Sequence, residues 1–152
     1  MKRVVITGMG AVTPLGNNVA DFWAGIKAGK NAIAEITHFD TEPQKAKFGA
    51  EVKDFTYHNY KEGKRMDLFS QYGVTAALEA MADSGIVSGE NVDPYRFGVI
   101  AGTGIGGITT LEEETAKAAV KGVGRVSALL VPSVLGNILS GNIAIATQAK
   151  GS

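Results

Sequence analysis

Apolar residues fall into a few dense blocks along this chain, and turn-forming residues separate the blocks. Residues 3–7 are short, β-branched and closed by Gly8, the pattern of a buried strand. Val19, Phe22, Trp23 and Ile26 then recur at i, i+3, i+4 and i+7. That spacing predicts a helix with one apolar stripe, capped by Asn17 or Asn18 and ended by Gly29. Residues 32–60 are less regular, with enough alternation over 46–52 for a modest strand. Residues 66–83 predict the longest helix. Leu68, Phe69, Tyr72, Val74, Leu78 and Met81, with several alanines, cover most of its circumference, and its charges are Asp67, Glu79 and Asp83. A helix apolar nearly all round is buried between other elements.

Residues 97–101 repeat the buried-strand pattern, and 109–120 predict an amphipathic, more exposed helix rich in Glu and Lys. Pro132 suits a helix start, and the pattern runs on to about Thr147 with Gly136 and Gly141 inside it. Each interior glycine costs about 1 kcal/mol against Ala, which close packing on another backbone would offset. The order is strand, helix, irregular segment, strand, helix, strand, helix, helix, an α/β layered pattern. Buried helices need cover on more than one side, and few strands are available to give it. The chain therefore reads as part of a larger domain, or as one half of a tight assembly.

Composition narrows the classes. The chain has 152 residues, 45% hydrophobic and 20% charged, ordinary for one soluble globular domain. Lys+Arg 15 balances Asp+Glu 15, so no global basic field calls for nucleic acid. Cysteine is absent and the histidines are His38 and His58, which leaves no thiolate chemistry and no expectation of a metal or cofactor. Gly8, Gly10 and Pro14 interrupt any leader-like apolar run at the start. Residues 134–146 are too short and too broken by Asn137, Ser140 and Asn142 to span a bilayer. A cytoplasmic location with no membrane partner is the expectation.

The glycine-dense segments carry the chemistry. Gly8-Met-Gly-Ala-Val-Thr-Pro-Leu-Gly16 follows a strand, but Thr13 stands where a dinucleotide fingerprint needs its third glycine, and Pro14 keeps Thr13 out of a helix. A structural strand-to-helix turn is the better reading. Gly102-Thr-Gly-Ile-Gly-Gly107 lacks the Gly-Lys-[Ser/Thr] end of a phosphate-binding loop. It presents Ile105 between glycines, which suits equally a contact with an apolar substrate and a plug in a core. Lys61, Lys64 and Arg65 have i, i+3, i+4 spacing, so one helical turn would put them on one side. They read as solvated charges or as a dock for an acidic partner. Glu112-Glu-Glu114 reads as a solvated face, and the histidines receive no role.

Val4-Val-Ile-Thr-Gly-Met-Gly-Ala-Val-Thr-Pro-Leu-Gly16, His38-Phe-Asp40, Lys64-Arg-Met-Asp67, Gly102-Thr-Gly-Ile-Gly-Gly107 and Val131-Pro-Ser133, in this order and spacing, resemble the N-terminal part of a bacterial β-ketoacyl-[acyl-carrier-protein] synthase of the type II elongating kind. The resemblance covers essentially the whole chain, so residues 1–152 are expected to be the incomplete N-terminal portion of such a domain. It implies an α/β thiolase-like fold with a layered α-β-α-β-α core, in a homodimer. It implies a decarboxylative Claisen condensation: an acyl chain passes from acyl carrier protein to a cysteine thiol, and the carbanion from malonyl-carrier protein attacks that thioester.

The resemblance also assigns supporting roles. Ile105 matches the gate of the acyl pocket, Ile108 a neighbouring wall, and Leu130 a pocket residue reaching across from the partner subunit. Lys61, Lys64 and Arg65 match the patch that receives the acidic carrier protein, with Arg125 adding to it from the other subunit. The family's cysteine, its two histidines and its lysine are expected beyond Ser152. No catalytic residue is therefore assigned, and the chain alone is expected to be inactive. The alternatives are a non-catalytic partner that sets chain length and an inactive truncated chain.

Overall fold

The structure, a computed structural model, describes residues 3–151. Met1, Lys2 and Ser152 lie outside the described residues, and so does the very start of the segment read above as leaderless. Helix α1 spans Val19–Lys27, as its apolar spacing predicts. Asn18 is the cap, its Oδ1 accepting from the Asp21 amide at 2.8 Å, and Gly29 follows in the left-handed region at φ +62. Strands β1 (Ile33–Glu35) and β2 (Phe48–Ala50) pair antiparallel, with Ala34 opposite Gly49. The β2 alternation was legible, but its partner was hidden in the irregular stretch.

A short helix α2 (Tyr60–Gly63) leads into α3 (Leu68–Ser84), the longest element. Helix α4 spans Ile108–Lys121, α5 Leu130–Val134 and α6 Ile138–Thr147. The core lies where α3 crosses α6. Val74 is fully buried there, and a Cβ at Gly73 would collide with Leu139. The close-packing glycine is thus on α3. Gly141, expected to serve that purpose, faces open space, and Gly136 lies in the break between α5 and α6. The single helix expected from Pro132 to Thr147 is therefore two, parted at Leu135, whose extended backbone (φ −65, ψ 130) leaves the helical region.

Two expectations about burial are corrected. Residues 3–7 and 97–101 join no β-ladder among the described residues, whose one sheet is β1–β2. A strand is made by pairing, and these segments find no ladder partner among the described residues. Accordingly Val4 and Ile6 are 96% and 85% exposed, and Ile100 is fully exposed. Helix α3 is correspondingly half-covered. Ser70 and Val74 are buried, while the rest of its apolar surface is mostly intermediate. An open groove of about 310 Å³ runs between α3, α6 and residues 97–100.

The first glycine segment has a packing role. A Cβ at Gly8 or Gly10 would strike the Ala80 or Ala76 carbonyl of α3. Side chains of α3 then take the amides of the turn. Asp83 accepts from Met9 at 2.9 Å, and Glu79 accepts from Ala11 at 2.9 Å and from Val19 at 2.8 Å. Glu79 thus occupies the N-terminus of α1, where a pyrophosphate would have to sit. The structural-turn reading of this segment holds.

Candidate functional site

The second glycine segment divides into a free half and a clamped half. A Cβ at Gly102 or Gly104 would meet nothing within 4 Å. Gly106, at φ +87, lies against the Val134 carbonyl, and a Cβ at Gly107 would lie 2.7 Å from the Ser133 oxygen. The Gly107 amide donates to the Val134 carbonyl at 3.0 Å, and the Gly106 amide to Thr103 Oγ1 at 3.2 Å. Ile105 stands at the boundary of the two halves and is 70% exposed. It plugs no core among the described residues. Ile108 opens α4 and is also exposed; Leu130 opens α5 and is half-buried.

The loop thus brings Ile105 and Ile108 onto the helix that carries Leu130, through backbone contacts at Ser133 and Val134. These three side chains line neither the groove beside α3 nor a second one of about 340 Å³ at residues 86–90. Ile105 and Ile108 present exposed apolar side chains, and Leu130 a half-buried one.

The basic residues stand on a braced turn. Asn59 caps α2, and Lys61 lies within it; Lys64 is its C-terminal cap and Arg65 follows. Gln71 reaches back from α3 and donates to the Gly63 and Met66 carbonyls, each at 3.0 Å. Lys64 Nζ lies 4.3 Å from the Tyr60 ring centroid, a cation–π contact. Lys61, Lys64, Arg65 and Arg125 are exposed, and none forms an ion pair among the described residues. Arg125 lies apart, in the single turn Val123–Arg125 after α4. No hydrogen bond or ion pair among the described residues joins it to the other three.

Four polar side chains matter that the sequence reading left without a role. Asp67, 5% exposed, caps α3 by accepting from the Phe69 amide at 3.2 Å through Oδ1. Its Oδ2 accepts from the Thr110 amide of α4 at 2.9 Å. Ser133, 7% exposed, donates from Oγ to the Arg65 carbonyl at 3.2 Å. Glu51 accepts from Thr37 and His38 and sits 3.9 Å from the His38 Nε2, so His38 belongs to a structural corner. Glu114 is a tether and not a solvated face. It pairs with Lys117 at 2.8 Å and accepts from the Ser127 amide at 2.6 Å, fixing the segment between Arg125 and Leu130. An Asp directly before an apolar run is a cap signal, which would have found Asp67. No local signal marks the others, whose partners lie far off or across a turn.

The Lys117 ammonium, then the Ser127 amide, holds the Glu114 carboxyl below its ordinary value of 4.5. A carboxyl with a lowered folded value contributes stability above its unfolded value and loses it as pH falls through the folded one. Titrating the Ser127 amide shift should give a midpoint below 4.5. A midpoint at or above that value would show that the tether is absent in solution.

Among the described residues no cluster of three His, Cys, Asp or Glu could hold a metal ion, and no helix is long and apolar enough to cross a membrane.

Residues 1–152 match the family model described as beta-ketoacyl synthase, N-terminal domain. The chain is 44% identical over 99% of its length to 3-oxoacyl-[acyl-carrier-protein] synthase 2 of Synechocystis sp., of which it covers 36%. Among solved structures it is similar to the ishigamide ketosynthase/chain length factor, with TM-score 0.89 at 26% identity, over 99% of this chain and 38% of that one. It shares its fold with a chain of the complex described as a type II PKS acyl-carrier protein with its ketosynthase, at TM-score 0.74 and 23% identity, over 100% of this chain and 41% of that one. The chain spans 36–37% of the length of the curated relatives it matches.

Proposed function

We propose, from the premise that the chain belongs to the β-ketoacyl synthase family and matches its N-terminal domain, that it forms the carrier-docking and acyl-pocket portion of a condensing enzyme of fatty acid elongation. The observation that carries the proposal is a juxtaposition. A braced turn whose Lys61, Lys64 and Arg65 form no ion pair among the described residues is joined, through Ser133, to the loop and helix that present Ile105, Ile108 and Leu130. An acidic, lipid-bearing carrier protein needs both features side by side, a positive surface for the protein and an apolar edge for its cargo.

The reaction is a decarboxylative Claisen condensation. The acyl group passes from its carrier to an enzyme thiol. Malonyl-carrier protein loses CO2, its carbanion attacks the enzyme-bound thioester, and the thiolate leaves as the 3-oxoacyl-carrier is formed. This chain has no cysteine, so the nucleophile is assigned outside residues 1–152, and no catalytic role is given to a residue within them. Residues 1–152 are the N-terminal portion of a thiolase-like domain. The exposed apolar Val4, Ile6 and Ile100 are read as surfaces that further strands of that domain cover. The exposed Leu111, Val120, Val123 and Leu129 along α4 and its following turn support a homodimer. The proposed location is cytoplasmic.

Relatives at 40–44% identity share the name of a synthase, which favours an active enzyme over a chain-length partner. The partner reading has the support of one similar structure, the ketosynthase/chain length factor at 26% identity. A hybrid tests whether residues 1–152 support condensation. Residues 1–152 replace the matching region of the Synechocystis synthase, and formation of 3-oxoacyl-carrier protein is followed. A folded hybrid is expected to condense acyl- and malonyl-carrier substrates. A folded hybrid that binds both substrates but forms no product, with the synthase's own thiol present, would show that residues 1–152 do not support condensation.

A further inference from the structure

Three segments that are far apart in sequence close into one ring of contacts. Residues 65–67 reach residues 133–134 through the Ser133 hydroxyl on the Arg65 carbonyl. Residues 133–134 reach the glycine loop through the Gly107 amide on Val134. The loop runs into α4, and α4 returns to residue 67 through the Thr110 amide on Asp67. The ring leaves little slack. A Cβ at Gly107 would stand 3.0 Å from the Asp67 Cβ and 2.7 Å from the Ser133 carbonyl oxygen.

Within this ring Asp67 supplies a carboxylate that serves two helices at once. A carboxylate has two oxygens, and each is committed. Oδ1 caps its own helix at Phe69, while Oδ2 holds the first turn of α4 at Thr110. Ile108 is two residues from Thr110 and Ile105 five. Arg65 is two residues from Asp67 on the other side. A buried, charge-assisted bond at this point fixes the apolar edge relative to the basic turn.

We infer that Asp67 is a positioning residue for acyl-chain selection: it sets the register of Ile105 and Ile108 against the docking turn without touching the substrate. The inference rests on the acyl-pocket reading given above and adds to it the residue that holds the pocket wall in place. Any acyl chain delivered from the basic turn then meets the gate at a fixed depth, and loosening Asp67 blurs the discrimination of chain length.

The variant that isolates this role is Asp67→Ser. Serine caps a helix nearly as well as aspartate, so the bond to Phe69 is kept, but its hydroxyl is too short to reach Thr110. Asp67→Asn is the companion, because one carbonyl oxygen remains and the fold is disturbed least. Both are measured in a condensing enzyme that carries this chain, beside Ile105→Phe. The expected result for Asp67→Ser is faster exchange of the Thr110 amide with Phe69 still protected. The ratio of kcat/KM for long and short primers changes about tenfold, the loss expected for a hydrogen bond to a charged group. Asp67→Asn gives an intermediate change, and the KM for the carrier is unaltered in both. If Thr110 is released in either variant while the length ratio stays fixed, and Ile105→Phe does shift that ratio, the inference fails and the pocket reading survives. If Ile105→Phe leaves the ratio fixed as well, the pocket reading itself fails and the inference falls with it.

Discussion

In a condensing enzyme that carries this chain, Ile105→Phe lowers kcat/KM for long acyl primers about ten- to hundredfold while short primers are nearly unaffected; this is the effect of about 1–3 kcal/mol expected where added bulk meets the acyl chain. The reason lies in the loop's geometry. Ile105 sits where the free half of the loop meets the clamped half, with Gly106 and Gly107 locked against Ser133 and Val134. The backbone on that side has no room to retreat, so a larger ring extends toward the acyl chain. Short primers do not reach that depth. Rates measured over a primer series check the point, and an equal loss at every chain length would remove the gate role.

The legible parts of the fold were those fixed by local chemistry. Helices α1 and α4 follow from apolar spacing, and α1 also from its Asn18 cap and the left-handed glycine after it. The parts that were not legible depend on partners. Residues 3–7 and 97–101 have strand composition, yet a strand exists only by pairing, and pairing is non-local. The apolar run through residues 130–147 could not show that the backbone turns extended at Leu135. Nor could it show that the glycine needed for close packing is Gly73, on the facing helix.

The site divides the same way. Exposed candidates, Ile105 and the basic trio, announce themselves by an apolar residue among glycines and by charge spacing. The hydrogen-bonded pegs do not. Asp67, Glu79, Glu114 and Ser133 each satisfy an amide or carbonyl of another segment, and in sequence such residues look like ordinary solvated side chains. Resemblance supplied the motifs Lys64-Arg-Met-Asp67 and Val131-Pro-Ser133 without a reason for them. The geometry gives one, since the last residue of each motif is a peg of the same ring.

The second large effect concerns docking. Lys64 and Arg65 are exposed, carry no acidic partner among the described residues, and stand on a turn stiffened by Gln71. The chain as a whole is neutral, with 15 cationic and 15 acidic residues, so within it the proposed attraction for an acidic carrier rests on local patches such as this one. Reversing both charges turns attraction into repulsion. At about 1 kcal/mol for each close unit-charge contact in water, two reversals are worth about ten- to a thousandfold in KM. Their reach is also set by salt, because the Debye length shrinks from about 30 Å at 0.01 M to about 8 Å at 0.15 M.

The most direct measurement is therefore the KM for acyl-carrier protein of the enzyme bearing Lys64→Glu and Arg65→Glu, taken across ionic strength. The expected result is a KM raised at least about tenfold at low salt, converging on that of the unaltered enzyme as salt rises, with kcat little changed. A KM unchanged at low salt would contradict the claim that this turn receives the carrier.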